Sequence, residues 1–249
     1  CRVDVPLQGP KSRDILLALI DDPAFARRLK ALPWAGVTSG QLAGLDVVVS
    51  RTGYTGERIA FEIFVHPDKS PELWQKLVAV GEPLGLKPCG LAARDSTRTE
   101  AGLPLYGHEL AGDLGLNPAD AGFGSYVKLW KPFFVGREAF IAYEAKRDRV
   151  ITRFRMNEKG VRRPEGGDPV LDKRGKVIGR VTSCAIDSEG YLLGQAVLPL
   201  AMSGAETAVY IYQLGGGQRP IRVPDVQLGA RLPMPDAATV LTRFPSRKK

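Results

Sequence analysis

The sequence contains only three cysteines in 249 residues, and Cys1, Cys89 and Cys184 lie far apart. Their odd number and wide separation do not indicate a disulfide framework, and the chain has no CxxC or Cys/His spacing that would indicate a zinc site. We therefore expect Cys89 and Cys184 to be small core residues of a protein that resides in a reducing compartment, the cytoplasm.

Long apolar stretches are also lacking, since no run approaches the roughly 20 residues that a bilayer-spanning helix needs. The opening segment CRVDVPLQGP has neither the basic region nor the apolar core of a secretory signal. We expect a soluble protein without a membrane partner. Because the first residue is Cys1 and not Met, we also expect the chain to be part of something longer.

Signatures of metal and nucleotide chemistry are missing as well. The two histidines, His66 and His108, lie in different segments without metal-ligand spacing, and the chain has no P-loop, no nucleophile elbow and no GxGxxG after a strand. The net charge of +8 comes from scattered basic residues, and no nucleic-acid fold signature accompanies them. We predict no metal site and no nucleic-acid partner, and these patterns assign no catalytic residue.

The first half of the chain alternates helical and strand patterns, which is typical of an α+β fold. Apolar periodicity, β-branched runs and helix-terminating residues predict the following elements: a helix around 15–19, a helix over 23–32, strands over 47–50 and 60–65, a helix capped by Ser70, and a helix over 91–101. The Ser70 helix is expected to bury Leu73, Trp74, Leu77 and Val78. We take residues 1–146 as one domain.

The character of the sequence changes after the predicted helix and charged linker of FVGREAFIAYEAKRDR. Six short β-rich runs follow, separated by Gly, Asp, Pro and Ser turns: VITRFRMN, GDPVLD, KVIGRVTSCAI, YLLGQAVL, TAVYIYQL and QRPIRVPDVQL. They predict a small antiparallel barrel or sandwich over residues 147–249.

Two polar features leave alternatives open. Glu62 stands between Phe61 and Ile63 in a predicted strand, so it points either to solvent or into a cavity that supplies donors. Arg94, Asp95, Arg98 and Glu100 fall within two turns of one predicted helix, which is either a solvated face or a polar site.

Four separated segments resemble the aminomethyltransferase (glycine cleavage T-protein) family. They are QGPKS, SRTGYTGE followed by FEI, KPCGLAARDSTRTEAGLPLYGHEL, and FVGREA leading into a tail with VIGRVTS. The resemblance runs from about residue 3 to 225. It implies that residues 1–146 are the second half of a folate-binding region, that residues 147–249 are the family's barrel domain, and that the family's N-terminal portion with its catalytic aspartate is absent from the printed sequence.

The resemblance also implies a cofactor and its contacts. In this family the carboxylate of the FEI segment holds the pterin of tetrahydrofolate, and this position is Glu62 here. Tyr54 matches a tyrosine that lines the folate pocket, and Arg94 matches an arginine at the folate site, with Asp95, Arg98 and Glu100 as its supporting network. The segment between Tyr54 and Glu62 is one residue longer than is usual in the family, so a bulge or a shifted turn must restore the geometry.

The implied function is a tetrahydrofolate-dependent one-carbon transfer of an aminomethyl or methyl group, with a small donor or a lipoyl-carrying protein as partner. A folate-dependent demethylase and a fused domain of a sarcosine or dimethylglycine dehydrogenase remain alternatives. The related iron-sulfur assembly factors carry a KGCYxGQE motif, whereas this chain has TEAGLPLYGHEL without the cysteine. A noncatalytic folate-binding protein or scaffold is the remaining alternative.

Overall fold

A computed structural model describes residues 1–110, 114–213, 226–232 and 236–246. The chain divides into two compact units, Cys1–Arg94 and Asp95–Lys249. The first contains helices and a four-stranded antiparallel sheet, and the second contains a closed antiparallel barrel, so the α+β class and the barrel are confirmed. The domain boundary between residues 146 and 147 stays a prediction.

The sheet of the first unit has the order β1-β4-β3-β2, in which every neighbouring pair is antiparallel. Its strands are β1 (Val3–Gln8), β2 (Val37–Leu42), β3 (Leu45–Ser50) and β4 (Ala60–Val65). Strands β3 and β4 confirm the predicted strands, whereas β2 was not predicted. A two-residue turn at Ala43 and Gly44, with φ of 47° and 81°, joins β2 to β3. Both residues have the positive φ that a tight hairpin turn requires.

Helices of the first unit cover one face of this sheet. They are α1 (Ser12–Leu17), α2 (Pro23–Ala31) and α3 (Ser70–Gly81), and α4 (Leu91–Glu100) begins at the end of the unit. The Asp22 carboxylate caps α2, because it accepts hydrogen bonds from the backbone N–H groups of Ala24 at 2.8 Å and Phe25 at 3.0 Å. Alternate strand residues and the apolar helix faces form one buried core: Val5, Leu7, Ile15, Leu16, Phe25, Leu29, Val47, Val49, Phe61, Ile63, Leu73 and Leu77.

The structure corrects two details of α3. Ser70 is the first helical residue and not the cap, since its hydroxyl donates to the Pro67 carbonyl at 2.8 Å. Leu73 and Leu77 are buried as predicted, but Trp74 is 44% exposed. Residues 73 and 77 are four apart and share a helix face, whereas position 74 is rotated by about 100° from position 73 and leaves that face.

The barrel of the second unit closes in the order β10-β5-β8-β7-β6-β9. Helix α5 (Arg137–Glu144) precedes the strands, which are β5 (Arg149–Met156), β6 (Pro169–Leu171), β7 (Val177–Ile186), β8 (Leu192–Pro199), β9 (Ala208–Ile211) and β10 (Asp236–Leu241). Five of the six predicted runs are confirmed as strands. Most of the sixth, 218–228, lies outside the described residues, and β10 was not predicted.

The cysteines divide into two kinds. Cys184 packs in the barrel core as predicted, and burial raises the pKa of its thiol to about 12. Cys89 is exposed, so its predicted core position is wrong. It precedes Gly90 in the LKPCG connection to α4, where its thiol donates to the Lys87 carbonyl at 3.4 Å. Within the described ranges, no helix combines the length and apolar character needed to cross a membrane.

Candidate functional site

The candidate site lies on the face of the first-unit sheet that is opposite to the apolar core. Phe61 and Ile63 point into the core, so the alternation of strand β4 turns Glu62 to the other face. In the sheet register Glu62 stands between Pro6 of β1 and Ser50 of β3. Of the two alternatives open for this carboxylate, the structure therefore shows a half-buried position on the polar face of the sheet.

A short chain of hydroxyl groups fixes the Glu62 carboxylate. Thr52 donates a close hydrogen bond to Glu62 Oε2, and Ser50 Oγ lies 2.9 Å from Thr52 Oγ1. Because threonine has one hydroxyl proton and this proton goes to the carboxylate, the Ser50 hydroxyl is the donor of the second bond. Glu62 Oε1 makes no hydrogen bond within the described part of the chain, so it can accept one from a ligand.

Asp4 adds a second carboxylate to this face. It stands opposite Phe64, two residues along β4 from Glu62, and it is exposed. Partial burial, followed by the charge of Glu62, raises the pKa of the Asp4 carboxyl above its ordinary value. The face is therefore negatively charged and suited to a ligand edge that carries hydrogen-bond donors.

The segment between β3 and β4, residues 51–59, passes close to the end of the sheet. A Cβ atom on Gly53 would lie 2.5 Å from the Ala60 Cβ and 2.8 Å from Gln8 Oε1, so only glycine fits there. Two residues further, the Thr55 hydroxyl donates to Gln8 Oε1 at 2.6 Å. The β3–β4 ladder is regular from Val47 to Ser50. That ladder therefore contains no bulge, and the expectation that a bulge or a shifted turn restores the family geometry stays a prediction.

Tyr54 and Arg94 lie next to each other in the first unit. The guanidinium carbon of Arg94 is 5.9 Å from the centroid of the Tyr54 ring, which is within cation–π distance. Tyr54 is carried by the same connection as Thr52, and Arg94 lies in the first turn of α4. The structure thus brings two of the three predicted site residues into contact and places the third, Glu62, on the strand that follows the connection.

Asp95 and Arg98, which were predicted to support Arg94, belong to a buried cluster of the second unit. Arg98 is unexposed and pairs with Asp95, with its Nε 2.7 Å from Asp95 Oδ1. It also donates to Glu109 at 2.9 Å and to the Ser183 hydroxyl at 2.7 Å. Glu100 is not part of this cluster, since its carboxylate accepts a hydrogen bond from Ser188 at 2.8 Å.

Two members of this cluster were not predicted from the sequence. Glu109 and Ser183 are separated from Arg98 by 11 and 85 residues. Both stand in segments that resemble the family, but nothing in those segments pairs them with Arg98. Ser183 lies on barrel strand β7, and the fold of the barrel brings it next to Arg98. Among the described residues no group of three or more His, Cys, Asp or Glu side chains can hold a metal ion.

Comparison with known proteins identifies the family. The GCVT N-terminal domain profile matches residues 2–131, which is more than half of the chain. The chain belongs to the aminomethyltransferase (glycine cleavage T-protein) family. It is 40% identical to an aminomethyltransferase from Streptomyces avermitilis over 223 residues, which cover 88% of this chain and 58% of that protein.

Two further comparisons agree with this membership. An aminomethyltransferase from Halothermothrix orenii is 37% identical over 82% of this chain and 56% of its own length. The crystal structure of the glycine cleavage system aminomethyltransferase T from Bartonella henselae superposes with a TM-score of 0.74 at 27% identity, covering 97% of this chain and 58% of that one. The chain therefore spans somewhat more than half the length of these aminomethyltransferase relatives.

Proposed function

We propose that this chain is the folate-binding part of a tetrahydrofolate-dependent one-carbon transferase that moves an aminomethyl or methyl group. The observation that supports the proposal most is the Glu62 carboxylate on the open sheet face, with one oxygen held by Thr52 and the other available. Membership of the aminomethyltransferase family supplies the reaction class.

The chemistry of Glu62 fits the ring of a folate. The pterin presents its 2-amino group and its N3–H as two parallel donors, and a carboxylate is the side chain that accepts two parallel donors best. The hydroxyl of Thr52 fixes the plane of this acceptor before a ligand arrives, which reduces the ordering cost of binding. Glu62 therefore binds and orients the pterin.

Tyr54 and Arg94 fit the remainder of the molecule. The Tyr54 ring offers an apolar face for a flat heterocycle or its aromatic substituent. The Arg94 guanidinium, which lies beside that ring, is suited to the carboxylates of the folate tail, because its planar donors match carboxylate geometry. These two residues would hold the folate along its length while Glu62 fixes the ring.

Bound tetrahydrofolate supplies the nitrogen nucleophile that accepts the one-carbon unit. Within this chain, Glu62, Tyr54 and Arg94 position that nitrogen relative to the donor, which converts an encounter of two molecules into a reaction within one complex. The donor is a small amine or methyl compound, or an aminomethyl group on a lipoyl-carrying protein partner. The general acid that assists the leaving group is not assigned to a residue of this chain, and the cytoplasmic location belongs to the same proposal.

Calorimetric titration of the intact 27.0 kDa chain with tetrahydrofolate under anaerobic conditions tests the proposal. We expect saturable binding with one site per chain. A parallel titration uses p-aminobenzoylglutamate, which keeps the tail and lacks the pterin, and it should bind much more weakly. Absence of tetrahydrofolate binding to a correctly folded chain would overturn the proposal and leave the scaffold alternative.

The donor is tested separately on the loaded protein. Sarcosine, dimethylglycine and an aminomethylated lipoyl carrier protein are offered in turn. The carrier protein should yield methylenetetrahydrofolate and ammonia, whereas transfer of a methyl group from either amine yields methyltetrahydrofolate and the demethylated amine and needs no oxidant. Product from the carrier protein alone identifies an aminomethyltransferase, whereas product from a small amine identifies a demethylase. Bound folate with no product from any donor would restrict the chain to folate binding.

A further inference from the structure

The side chain of Gln8 shares the polar sheet face with Glu62. Gln8 stands opposite Ala60, and Glu62 stands opposite Pro6, so the two side chains are diagonal neighbours on adjacent strands. Diagonal neighbours on one sheet face are about 7 to 8 Å apart at their Cα atoms, within the span of one bound heterocycle. Gln8 can therefore contact the same ligand as Glu62.

A hydrogen bond to its oxygen atom fixes the orientation of the Gln8 amide. The Thr55 hydroxyl donates to Gln8 Oε1 at 2.6 Å, and the close approach of Gly53 limits the space on that side. Because the amide oxygen is engaged, the NH2 group is at the free end of the side chain. Gln8 Nε2 makes no hydrogen bond with any residue that the structure describes, and Gln8 is only half-buried, so this donor is open to a ligand.

Together the two side chains form an ordered pattern of acceptor and donor. Glu62 offers acceptor oxygens, and Gln8 offers N–H donors beside them. The edge of a 4-oxopterin has the complementary order, since the 2-amino group and N3–H are donors and the adjacent 4-oxo group is an acceptor. A neutral 2,4-diaminopteridine differs at two positions of this edge. An amino donor replaces the oxo acceptor and would face the donor of Gln8, and N3 carries no hydrogen, so it no longer donates to Glu62.

We propose that Gln8 donates a hydrogen bond to the 4-oxo group of the pterin and makes the site specific for 4-oxopterins over 4-aminopteridines. This inference rests on the proposed function, because it assumes that Glu62 holds the pterin edge. Thr55 acts as a positioning residue, because it keeps the amide nitrogen of Gln8 turned toward the ligand. A donor that faces another donor loses its bond and keeps its desolvation cost, so the contact with Gln8 adds to the preference for the 4-oxo compound.

The test compares tetrahydrofolate with its 4-amino analogue, tetrahydroaminopterin, by calorimetry at mildly alkaline pH, where the pteridine ring is neutral. The wild-type chain should prefer tetrahydrofolate by at least about 10-fold, because the 4-amino compound leaves the Gln8 donor unpaired and also lacks the N3–H that faces Glu62. Gln8→Leu should lower this preference by weakening tetrahydrofolate, and the part that comes from Glu62 should remain. Gln8→Glu should lower it further, because a carboxylate accepts a hydrogen bond from the 4-amino group and repels the 4-oxo group.

Thr55→Val provides a second variant in which Gln8 is retained. It removes the hydroxyl that orients the amide, so the preference for tetrahydrofolate should fall to an intermediate value. Thr55→Ser keeps the hydroxyl and should restore the wild-type ratio. A purely structural role of Gln8 or Thr55 would weaken both ligands equally and leave their ratio unchanged.

The outcomes separate this inference from the proposed function. If the wild-type chain binds neither ligand, the proposed function fails and the assignment of Gln8 fails with it. If the wild-type chain binds tetrahydrofolate, but folded Gln8→Leu and Gln8→Glu keep the wild-type ratio, only the role of Gln8 is overturned. Circular dichroism and thermal melts verify that each variant is folded before its ratio is interpreted.

Discussion

The Arg98 guanidinium and the Glu109 carboxylate lie 2.9 Å apart, and neither side chain is exposed to solvent. Two charges removed from water are tolerated only if their hydrogen bonds are satisfied. Here Glu109 also accepts from the Leu105 N–H, the Thr182 hydroxyl and the Ser183 hydroxyl. The pair is the centre of a polar cluster inside the second unit.

Removing one partner of this pair should therefore be strongly destabilising. We expect Arg98→Met to lower the free energy of unfolding by about 3 to 5 kcal/mol, because Glu109 is left as an uncompensated buried charge. Urea unfolding measures the loss. Adding Glu109→Gln should recover part of it, since the orphaned charge is then removed.

A matched control is available on the surface. Lys69→Met removes an exposed ion pair with Glu72, and its effect should stay below about 0.5 kcal/mol. An Arg98→Met variant that is as stable as Lys69→Met would contradict the buried-pair argument.

Glu62 is expected to contribute to folate affinity through its charge. Glu62→Gln exchanges a carboxylate that accepts two parallel donors for an amide with one acceptor and one donor, so tetrahydrofolate binding should weaken by about 1 to 3 kcal/mol. Calorimetric titration gives the change. Glu72→Gln on α3 is the control, and its affinity should equal that of the wild type. Unchanged affinity in Glu62→Gln would remove this residue from the site.

Asp4 gives a prediction on the pH dependence of stability. Partial burial and the nearby Glu62 charge raise the pKa of the Asp4 carboxyl, so folding disfavours its ionised form. The cost is present at pH values above the raised pKa and disappears below the ordinary one, where the carboxyl is protonated in both the folded and the unfolded states. Asp4→Asn should therefore be more stable than the wild type at pH 7, and the two melting temperatures should converge near pH 3.

The expected gain is small because Asp4 is exposed. A contribution below about 1 kcal/mol corresponds to no more than about 4 °C in the melting temperature. Thermal melts across the pH range provide the measurement, with Asp21→Asn as an exposed aspartate control. A difference between Asp4→Asn and the wild type that grows toward low pH has the wrong sign and refutes the argument.

The three thiols should react in two classes. Cys1 and Cys89 are exposed, whereas Cys184 is buried and burial raises the pKa of its thiol to about 12. Iodoacetamide at pH 8 should add two groups to the native chain and a third only in guanidinium chloride, because the thiolate is the reactive form. Intact mass spectrometry counts the adducts. Cys89→Ser should reduce the native count to one, and rapid native modification of Cys184 would show that the barrel core is open.

Local signals in the sequence predicted most helices correctly. Asp22 followed by Pro23 marks the start of α2, and Gly102, with φ of 75°, follows the end of α4. Strand β2, VTSGQL, escaped because it lacks the β-branched apolar run that identified β3. It forms because the turn at Ala43 and Gly44 folds it back onto β3. The strand is stabilised by this pairing, which the β-propensity of its own residues does not predict.

The candidate site was predicted only in part. Family resemblance pointed to Tyr54, Glu62 and Arg94, and the structure adds the contact between Tyr54 and Arg94. Thr52 was not identified as a site residue, because only the folded structure shows that its hydroxyl lies beside the Glu62 carboxylate. The same limit explains why Glu109 was not identified as a charge partner of Arg98, whereas Asp95 lies at helical i,i+3 spacing and was predicted in the same network.

The two sheets differ in their exposure to intermolecular strand pairing. Every strand of the barrel has two neighbours, so the described part of the second unit presents no strand edge. Among the described residues, the first-unit strands β1 and β2 each have a neighbour on one side only. Strand β1 carries Asp4 and Pro6, a charge and a residue without an N–H group, which both oppose addition of another strand. Aggregation of this protein by edge-to-edge pairing should therefore begin at β2, where Val37 is 63% exposed and neither safeguard is present.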